Sequence, residues 1–268
     1  MSESDTSISA SDRWAALIKL TPARIALGRA GASLPTREVL RFALAHAQAR
    51  DAVHIPFRAE TVAAELRALS LDTLHVASAA TSRDLYLRRP DLGRRLSPES
   101  LQTLSGCKGG DLALVVADGL SSTAIHQNAA PFIAALLPLL ERQKCKLAPV
   151  VIASQARVAL GDEIGEALGV RAVAVLIGER PGLSSPDSLG VYLTFAPKCG
   201  LSDADRNCIS NIRSGGLSYE TAAFKLAWLL TEALRREVTG VALKDESDAA
   251  FNIEANSLLV STPPALSE

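Results

Sequence analysis

The chain has 268 residues and a mass of 28.2 kDa, with 48% hydrophobic and 21% charged residues. Those are the proportions of a folded globular protein, long enough to bury roughly three-quarters of its unfolded surface, and they exclude a mostly disordered chain. Lys and Arg number 28 against 29 Asp and Glu, a net charge of -1, which excludes a global basic field for holding nucleic acid.

Residues 1–12 read as a flexible, Ser-rich lead without the basic start and apolar middle of a secretory signal. Trp14 to Leu20 is a short amphipathic helix that Thr21-Pro22 ends. Ala23 to Ser33, with Gly28 and Gly31 around Arg29, reads as a shaped loop. A helix is predicted over 36–50, with Val39, Leu40, Ala43, Leu44 and Ala47 on one face, and a second over 59–70.

The pattern then changes. Leu74 to Ala77 is a short apolar segment around His75, and Leu112 to Ala117, Pro149 to Ala153 and Ala172 to Ile177 are short, continuously apolar runs, the signature of parallel strands covered on both faces. Such runs are strand-sized, far below the about 20 residues of a membrane-spanning helix. Helical patterns lie between them at 82–89, 98–104, 122–143 and 162–168; Pro131 and Pro138 predict that the third is broken or kinked. Leu189 to Phe195 follows too closely for an intervening helix and reads as an antiparallel or edge strand. Ser218 caps a helix over 219–238 that Gly240 stops. That helix is apolar on most sides, so it is either deeply packed or covered by a partner. The expectation is an α/β protein: a Rossmann-like, mostly parallel, doubly wound sheet with an N-terminal helical extension. Its parts are a lead and short helix at 1–20, helices at 21–72, the α/β domain at 73–240 and a mobile tail at 241–268.

Self-contained catalytic motifs are missing. No G-x-G-x-x-G follows a strand, and no P-loop, H-E-x-x-H or G-x-S-x-G is present. His46, His54, His75 and His126 share no metal-ligand spacing. Cys107, Cys145, Cys199 and Cys208 form no C-x-x-C pair and read as reduced thiols of a cytosolic protein. What remains are polar turns after strands: Asp118 to Ser122, Gln155 to Val158 and Gly178 to Gly182. Open α/β sheets bind ligands at such carboxyl ends. Asp118, Ser121 and Arg157 are candidate ligand contacts on that argument, although ordinary βα turns have the same composition.

Six phrases in order are more specific: TPARIALGRAG (21–31), DLYLRRPDLGRRL (84–96), VVADGLSSTAI (115–125), RVALGDEIGEALG (157–169), LIGERPGL (176–183) and DRNCISNIRSGG (205–216). Over about 20–240 the chain resembles the small (light) subunit of ethanolamine ammonia-lyase. The lead is shorter than in some members, and the residues after about 243 are additional.

The resemblance implies an adenosylcobalamin-dependent carbon–nitrogen lyase that converts ethanolamine to acetaldehyde and ammonia by radical chemistry. It implies a barrel-shaped large subunit that holds substrate, in a hetero-oligomer of six plus six. This chain would hold base-on cobalamin against that barrel and supply no catalytic acid, base or metal ligand. The absence of D-x-H-x-x-G, which ligates cobalt in base-off proteins, agrees with that mode. By the resemblance, the cofactor contacts fall on Val158, Glu179 and Cys208. Val158 offers apolar surface, Glu179 accepts hydrogen bonds from corrin amides or a ribose hydroxyl, and Cys208 permits close packing. The arginine-rich stretch Arg83 to Arg95 reads as an intersubunit surface. The expected location is the cytoplasm or a protein-shelled bacterial microcompartment, with Trp14 to Leu20 as the candidate encapsulation segment. Nucleic acid and membrane partners are not expected. The competing readings are a non-catalytic α/β module for another cobalamin or nucleotide-like ligand, and a subunit that only assists assembly.

Overall fold

Three continuously apolar segments, Leu112 to Ala117, Val150 to Ala153 and Ala172 to Ile177, form the centre of the molecule, and their side chains divide by parity between two cores. The computed structural model describes residues 10–107 and 109–250. In chain order the elements are α1 (Ala10–Ile18), α2 (Thr36–His54), α3 (Ala59–Ala68), β1 (Thr73–Ala77), α4 (Arg83–Arg88), α5 (Pro98–Ser105), β2 (Leu112–Ala117), α6 (Ser122–Arg142), β3 (Val150–Ser154), α7 (Leu160–Leu168), β4 (Ala172–Gly178), β5 (Leu189–Phe195), β6 (Asn207–Ile212) and α8 (Tyr219–Arg236). Short 3-10 turns lie at Leu92–Arg94, Asp203–Asp205 and Gly240–Ala242.

The sheet has six strands in the order β1-β3-β2-β4-β5-β6. The first four are parallel, and β5 runs antiparallel to both β4 and β6. Leu112, Leu114, Val116, Ala174 and Leu176 face a core built with α3, α6 and α8. Ala113, Val115, Val173, Val175 and Ile177 face the other side, against Leu104 of α5 and Leu160, Ile164 and Leu168 of α7. Period-two alternation produces this division, and helices on both faces explain why no polar residue interrupts β2 or β4. The architecture is therefore mixed α/β around a mostly parallel sheet.

The chain reverses at β5 because residues 179–188 are too few for a crossover helix. The Leu189 to Phe195 run is thus antiparallel, as one of its two readings held, but it is interior: β6 pairs along its other side and forms the edge. The sequence reading did not contain β6. Only Ile209 and Ile212 of that strand are buried, and a register shift interrupts its pairing, so it carries no regular alternation.

Helix boundaries follow their caps. The hydroxyls of Ser82, Ser97, Ser121 and Ser218 accept from backbone N–H groups in the first turns of α4, α5, α6 and α8. Helix α6 runs without a break through Pro131 and Pro138, where a break or kink was expected. Both prolines and the residues four before them, Gln127 and Ala134, are exposed, so the carbonyls the prolines leave without a donor face water. By length and composition α6 is the one described helix apolar enough to cross a membrane, yet Ile125, Phe132, Ile133 and Leu136 are buried against the sheet and α8. Helix α8 ends at Glu237, which takes the left-handed capping conformation, not at Gly240, which opens a 3-10 turn. Of the two readings of α8, deep packing is what the structure shows, with Leu226, Leu229, Leu230 and Ala233 buried.

Two expectations at the ends change. Helix α2 extends to His54 and turns Glu38, Ala45 and Ala52 inward, leaving Val39, Leu40 and Leu44 exposed. Helix α1 begins before Trp14, and Trp14, Leu17 and Ile18 are exposed. The tail expected to be mobile from 241 onward is held at its start: Lys225 bonds Asp245, Ser247 and Asp248, and Ser247 is fully buried. The rest of that tail and residues 1–9 of the lead lie outside the described residues.

One joint in this frame titrates. His126 Nε2 on α6 accepts from the Arg58 N–H at the start of α3 (3.0 Å), and its ring stacks on Phe57. Desolvation, with Arg58 adding to it, lowers the His126 pKa from its ordinary value. A lowered folded-state pKa places this contribution fully above the unfolded value of about 6.5 and removes it as pH falls through the folded value. Denaturant melts of the wild type and His126→Gln should differ by a constant amount above about pH 7 and converge or invert below about pH 6. A difference that does not change between pH 8 and 5 would show that His126 does not titrate against this bond.

Candidate functional site

The chain leaves β2 for α6 on one face of the sheet and leaves β3 for α7 on the other. Between two such neighbours an open crevice forms at the carboxyl ends of the strands. Asp118 closes the base of that crevice and is 1% exposed. Its Oδ1 accepts from Gly119 N and Ala156 N, both at 3.0 Å, which joins the end of β2 to the end of β3. Its Oδ2 pairs with Arg83 Nη1 at 3.2 Å. Burial pushes the Asp118 carboxyl up to about 6, against the opposing pull of those N–H groups and Arg83. It is still mostly ionised at neutral pH.

Asp118 and Ser121 therefore do not face a ligand, which corrects the strand-end argument. Ser121 is fully buried, caps α6 and donates to Pro186 O at 2.8 Å. Beside it Gly119, in the left-handed region, meets Gly178 at backbone contact; a Cβ on either would collide with the other strand end. Strand ends this close leave no room for a ligand between β2 and β4.

The open space lies on the α7 side. A cleft of about 560 Å3 is lined by Arg94, Arg157, Val158, Asp162, Cys199 and Arg206, among others. Its floor is an ion pair: Arg206 Nη1 and Nη2 bond Asp162 Oδ1 and Oδ2 at 2.5 and 2.9 Å, with both side chains 2% exposed. Burial raises the Asp162 pKa, and Arg206 opposes the rise. Arg206 also reaches Thr194 Oγ1 and Leu201 O, so the pair ties the first turn of α7 to β5 and β6. Val158 and Arg157 enter the cleft wall from the loop between β3 and α7.

Glu179 and Cys208 meet farther along the same face. Glu179 follows β4, and its Oε2 accepts from Ser188 Oγ (2.5 Å) and Asn211 N (3.3 Å). Its side chain lies over Gly190, where a Cβ would stand 2.9 Å from Oε1. Glu179 Oε1 has no donor among the described residues. Tyr192 is half-buried beside it, and Cys208 is Tyr192's partner across β5 and β6. Partial desolvation raises the Cys208 thiol pKa, the Tyr192 hydroxyl pulls it down by less, and the Glu179 charge adds to the rise. The thiol is thus neutral at pH 7, a packing surface and weak donor, not a thiolate. Cys208 is exposed, so this strip of sheet reaches solvent.

The structure thus brings Glu179 and Cys208 together around Tyr192, and puts Val158 on the same side of the sheet, in the wall of the cleft. The arginine-rich stretch divides. Arg88, Arg89, Arg94 and Arg95 are exposed, but Arg83 points inward, with its side chain 18% exposed. Sequence reasoning passed over Asp162, Arg206 and Gly190. The R at 206 stood inside a recognised phrase, but nothing local marks it as buried.

With the geometry in hand, comparison adds kinship. The chain matches the ethanolamine ammonia-lyase light chain (EutC) family over residues 11–244. It is 56% identical over 252 residues to the ethanolamine ammonia-lyase small subunit of Azotobacter vinelandii, covering 92% of this chain and 93% of that relative. It is 57% identical over 242 residues to the protein of the same description in Xanthomonas campestris pv. campestris (88% and 89% covered), and 53% over 264 residues to that of Pseudomonas fluorescens (94% and 96%).

Replacing Asp118 with Asn keeps the shape but leaves the Arg83 guanidinium without its counter-ion in a mostly buried place. Asp118→Asn should cost about 3 kcal/mol in denaturant unfolding. A loss under about 1 kcal/mol would mean that the Asp118–Arg83 pair adds little to the frame beyond the backbone bonds to Oδ1.

Proposed function

The chain belongs to the ethanolamine ammonia-lyase light-chain family, and from that premise we propose that its Rossmann-like sheet holds adenosylcobalamin, in base-on form, against a large subunit. The relatives are named as small subunits of a lyase, which makes a large subunit the natural partner. When bound, the cofactor would supply the radical chemistry that converts ethanolamine to acetaldehyde and ammonia. The part of this chain is to bind, orient and exclude water.

The observation that carries the reading is the strip formed by Glu179, Gly190, Tyr192 and Cys208. A corrin carries amide side chains on its rim, and Glu179 Oε1 is an unengaged acceptor held in place by Ser188 and Asn211. Because residue 190 is glycine, the carboxylate lies flat on the sheet, leaving a broad face for a macrocycle. Neutral Cys208 allows close approach. Val158 supplies apolar contact in the cleft beside Arg157. The buried Asp162–Arg206 pair fixes the cleft floor, so the surface is formed before the cofactor arrives. Exposed Arg88, Arg89 and Arg94 face outward from the neighbouring stretch and suit the contact with the large subunit, in a six-plus-six assembly.

Reconstitution with the large subunit, adenosylcobalamin and ethanolamine tests the whole reading. Aldehyde release should require all four components. In that system Glu179→Ala should weaken cobalamin binding about tenfold while leaving co-elution with the large subunit intact. Unchanged cofactor affinity would favour the assembly-only role. Arg94→Glu should lower association with the large subunit without shifting the melting temperature of this chain. Normal co-purification of that variant would remove Arg94 from the interface.

A further inference from the structure

We propose that Tyr86 is a positioning residue that sets cofactor affinity by gripping Arg157 and so holding the loop that presents Val158. The inference rests on the cobalamin reading above for its functional consequence.

The loop between β3 and α7 needs outside support. It opens at Gln155 with a φ of 54°, a left-handed conformation that a side chain makes costly. Helix α7 has no side-chain cap at its start. Support comes from the α4 segment. The Tyr86 ring is fully buried, and two guanidiniums stand over it: Arg157 Cζ at 4.2 Å from the centroid and Arg83 Cζ at 4.8 Å. The Tyr86 hydroxyl donates to Ala156 O at 3.2 Å. In return, Arg157 Nη2 donates to Tyr86 O at 3.3 Å, and Arg157 N donates to Gly93 O at 2.8 Å.

The two arginines have different counter-charges. Arg83 is neutralised by Asp118 and anchored to Val53 O and Gly119 O, each at 2.8 Å. Arg157 has no carboxylate partner among the described residues, and its Nε is buried without an acceptor. The negative face of the aromatic ring is therefore what accommodates its charge, and cation–π attraction is strongest in such a desolvated place. The space is filled as well: a Cβ on Gly93 would stand 2.9 Å from Arg157 Cγ and 3.0 Å from the Tyr86 ring. Tyr86 does not line the cleft, so its influence on a ligand passes through Arg157 and Val158.

The test uses the complex with the large subunit. Adenosylcobalamin is titrated by absorbance without substrate, and amide exchange of residues 153–158 is followed without cofactor. Tyr86→Met, which keeps most of the volume and removes the ring and its hydroxyl, should raise the cobalamin Kd about tenfold and speed exchange at Ala156 and Arg157. Tyr86→Phe keeps the ring and loses only the bond to Ala156 O, so its cobalamin Kd should stay within about twofold of wild type, and its exchange should rise less than that of Tyr86→Met. The kcat at saturating cofactor should change by less than about twofold in either variant. Unchanged Kd and exchange in Tyr86→Met, or a fall in kcat with unchanged Kd, overturns the proposal. If Tyr86→Met does not fold, Gly93→Ala takes its place, since its Cβ displaces Arg157 from the ring; the same shifts are expected and their absence is equally decisive. A wild-type complex that binds no cobalamin would instead remove the cofactor reading. The exchange measurement then still decides whether Tyr86 holds the loop, and unchanged exchange overturns it.

Discussion

Everything at the carboxyl end of this sheet depends on one buried carboxylate. Asp118 joins β2 to β3 through two backbone N–H groups and joins both to Arg83, whose guanidinium extends the link to α2. A charge so deeply buried is tolerated only because donors surround it. The reward is geometric. Strands β2 and β3 send their chains to opposite faces, and without a tie at the divergence the crevice has no fixed width. The glycine pair 119 and 178 does the same for β2 and β4 by backbone approach.

A second constraint shapes the surface beyond the crevice. The chain turns back after β4 because the connection is too short for a helix, so β5 and β6 continue the sheet past the reach of α7. On the side of α3, α6 and α8 these strands are sealed by Leu189, Val191, Leu193 and Ile209. On the other they show Tyr192, Cys208 and the carboxylate of Glu179. One buried ion pair, Asp162 with Arg206, secures the boundary between the helix-covered sheet and the open part. An apolar pair would seal this boundary too, but the bidentate pair also bonds Thr194 and Leu201, which sets direction as well as contact.

The arginine-rich stretch shows how charge deceives when read along a chain. Arg83, Arg88, Arg89, Arg94 and Arg95 share residue type and neighbourhood. Four of them are exposed, and the pairs Arg88 with Asp84 and Arg89 with Asp91 are local surface pairs of small energetic weight. Arg83 is the one that bears on the frame, because α4 is a single short helix whose inner side carries Arg83 and Tyr86 toward Asp118 and the ends of the strands. Which arginine turns inward depends on partners 35 and 36 residues away, Asp118 and Gly119.

The sequence by itself determined the three central parallel strands, β2, β3 and β4, since only a two-sided core tolerates unbroken apolar runs, and it determined the starts of α4, α5, α6 and α8, since serine caps act within a single turn. It also carried the family phrases and the separate positions of Val158, Glu179 and Cys208. Local patterns could not show β6, whose two buried isoleucines make no rhythm, or the unbroken course of α6, which depends on both prolines facing water. Tertiary structure alone decided that Asp118 and Ser121 are spent on the frame, that Arg83 is buried, and that Glu179 lies against Asn211, 32 residues later in the chain. Caps and strand runs are set by neighbours a few bonds away. Burial of a charge, and the meeting of two strands at a site, depend on what the rest of the fold places beside them.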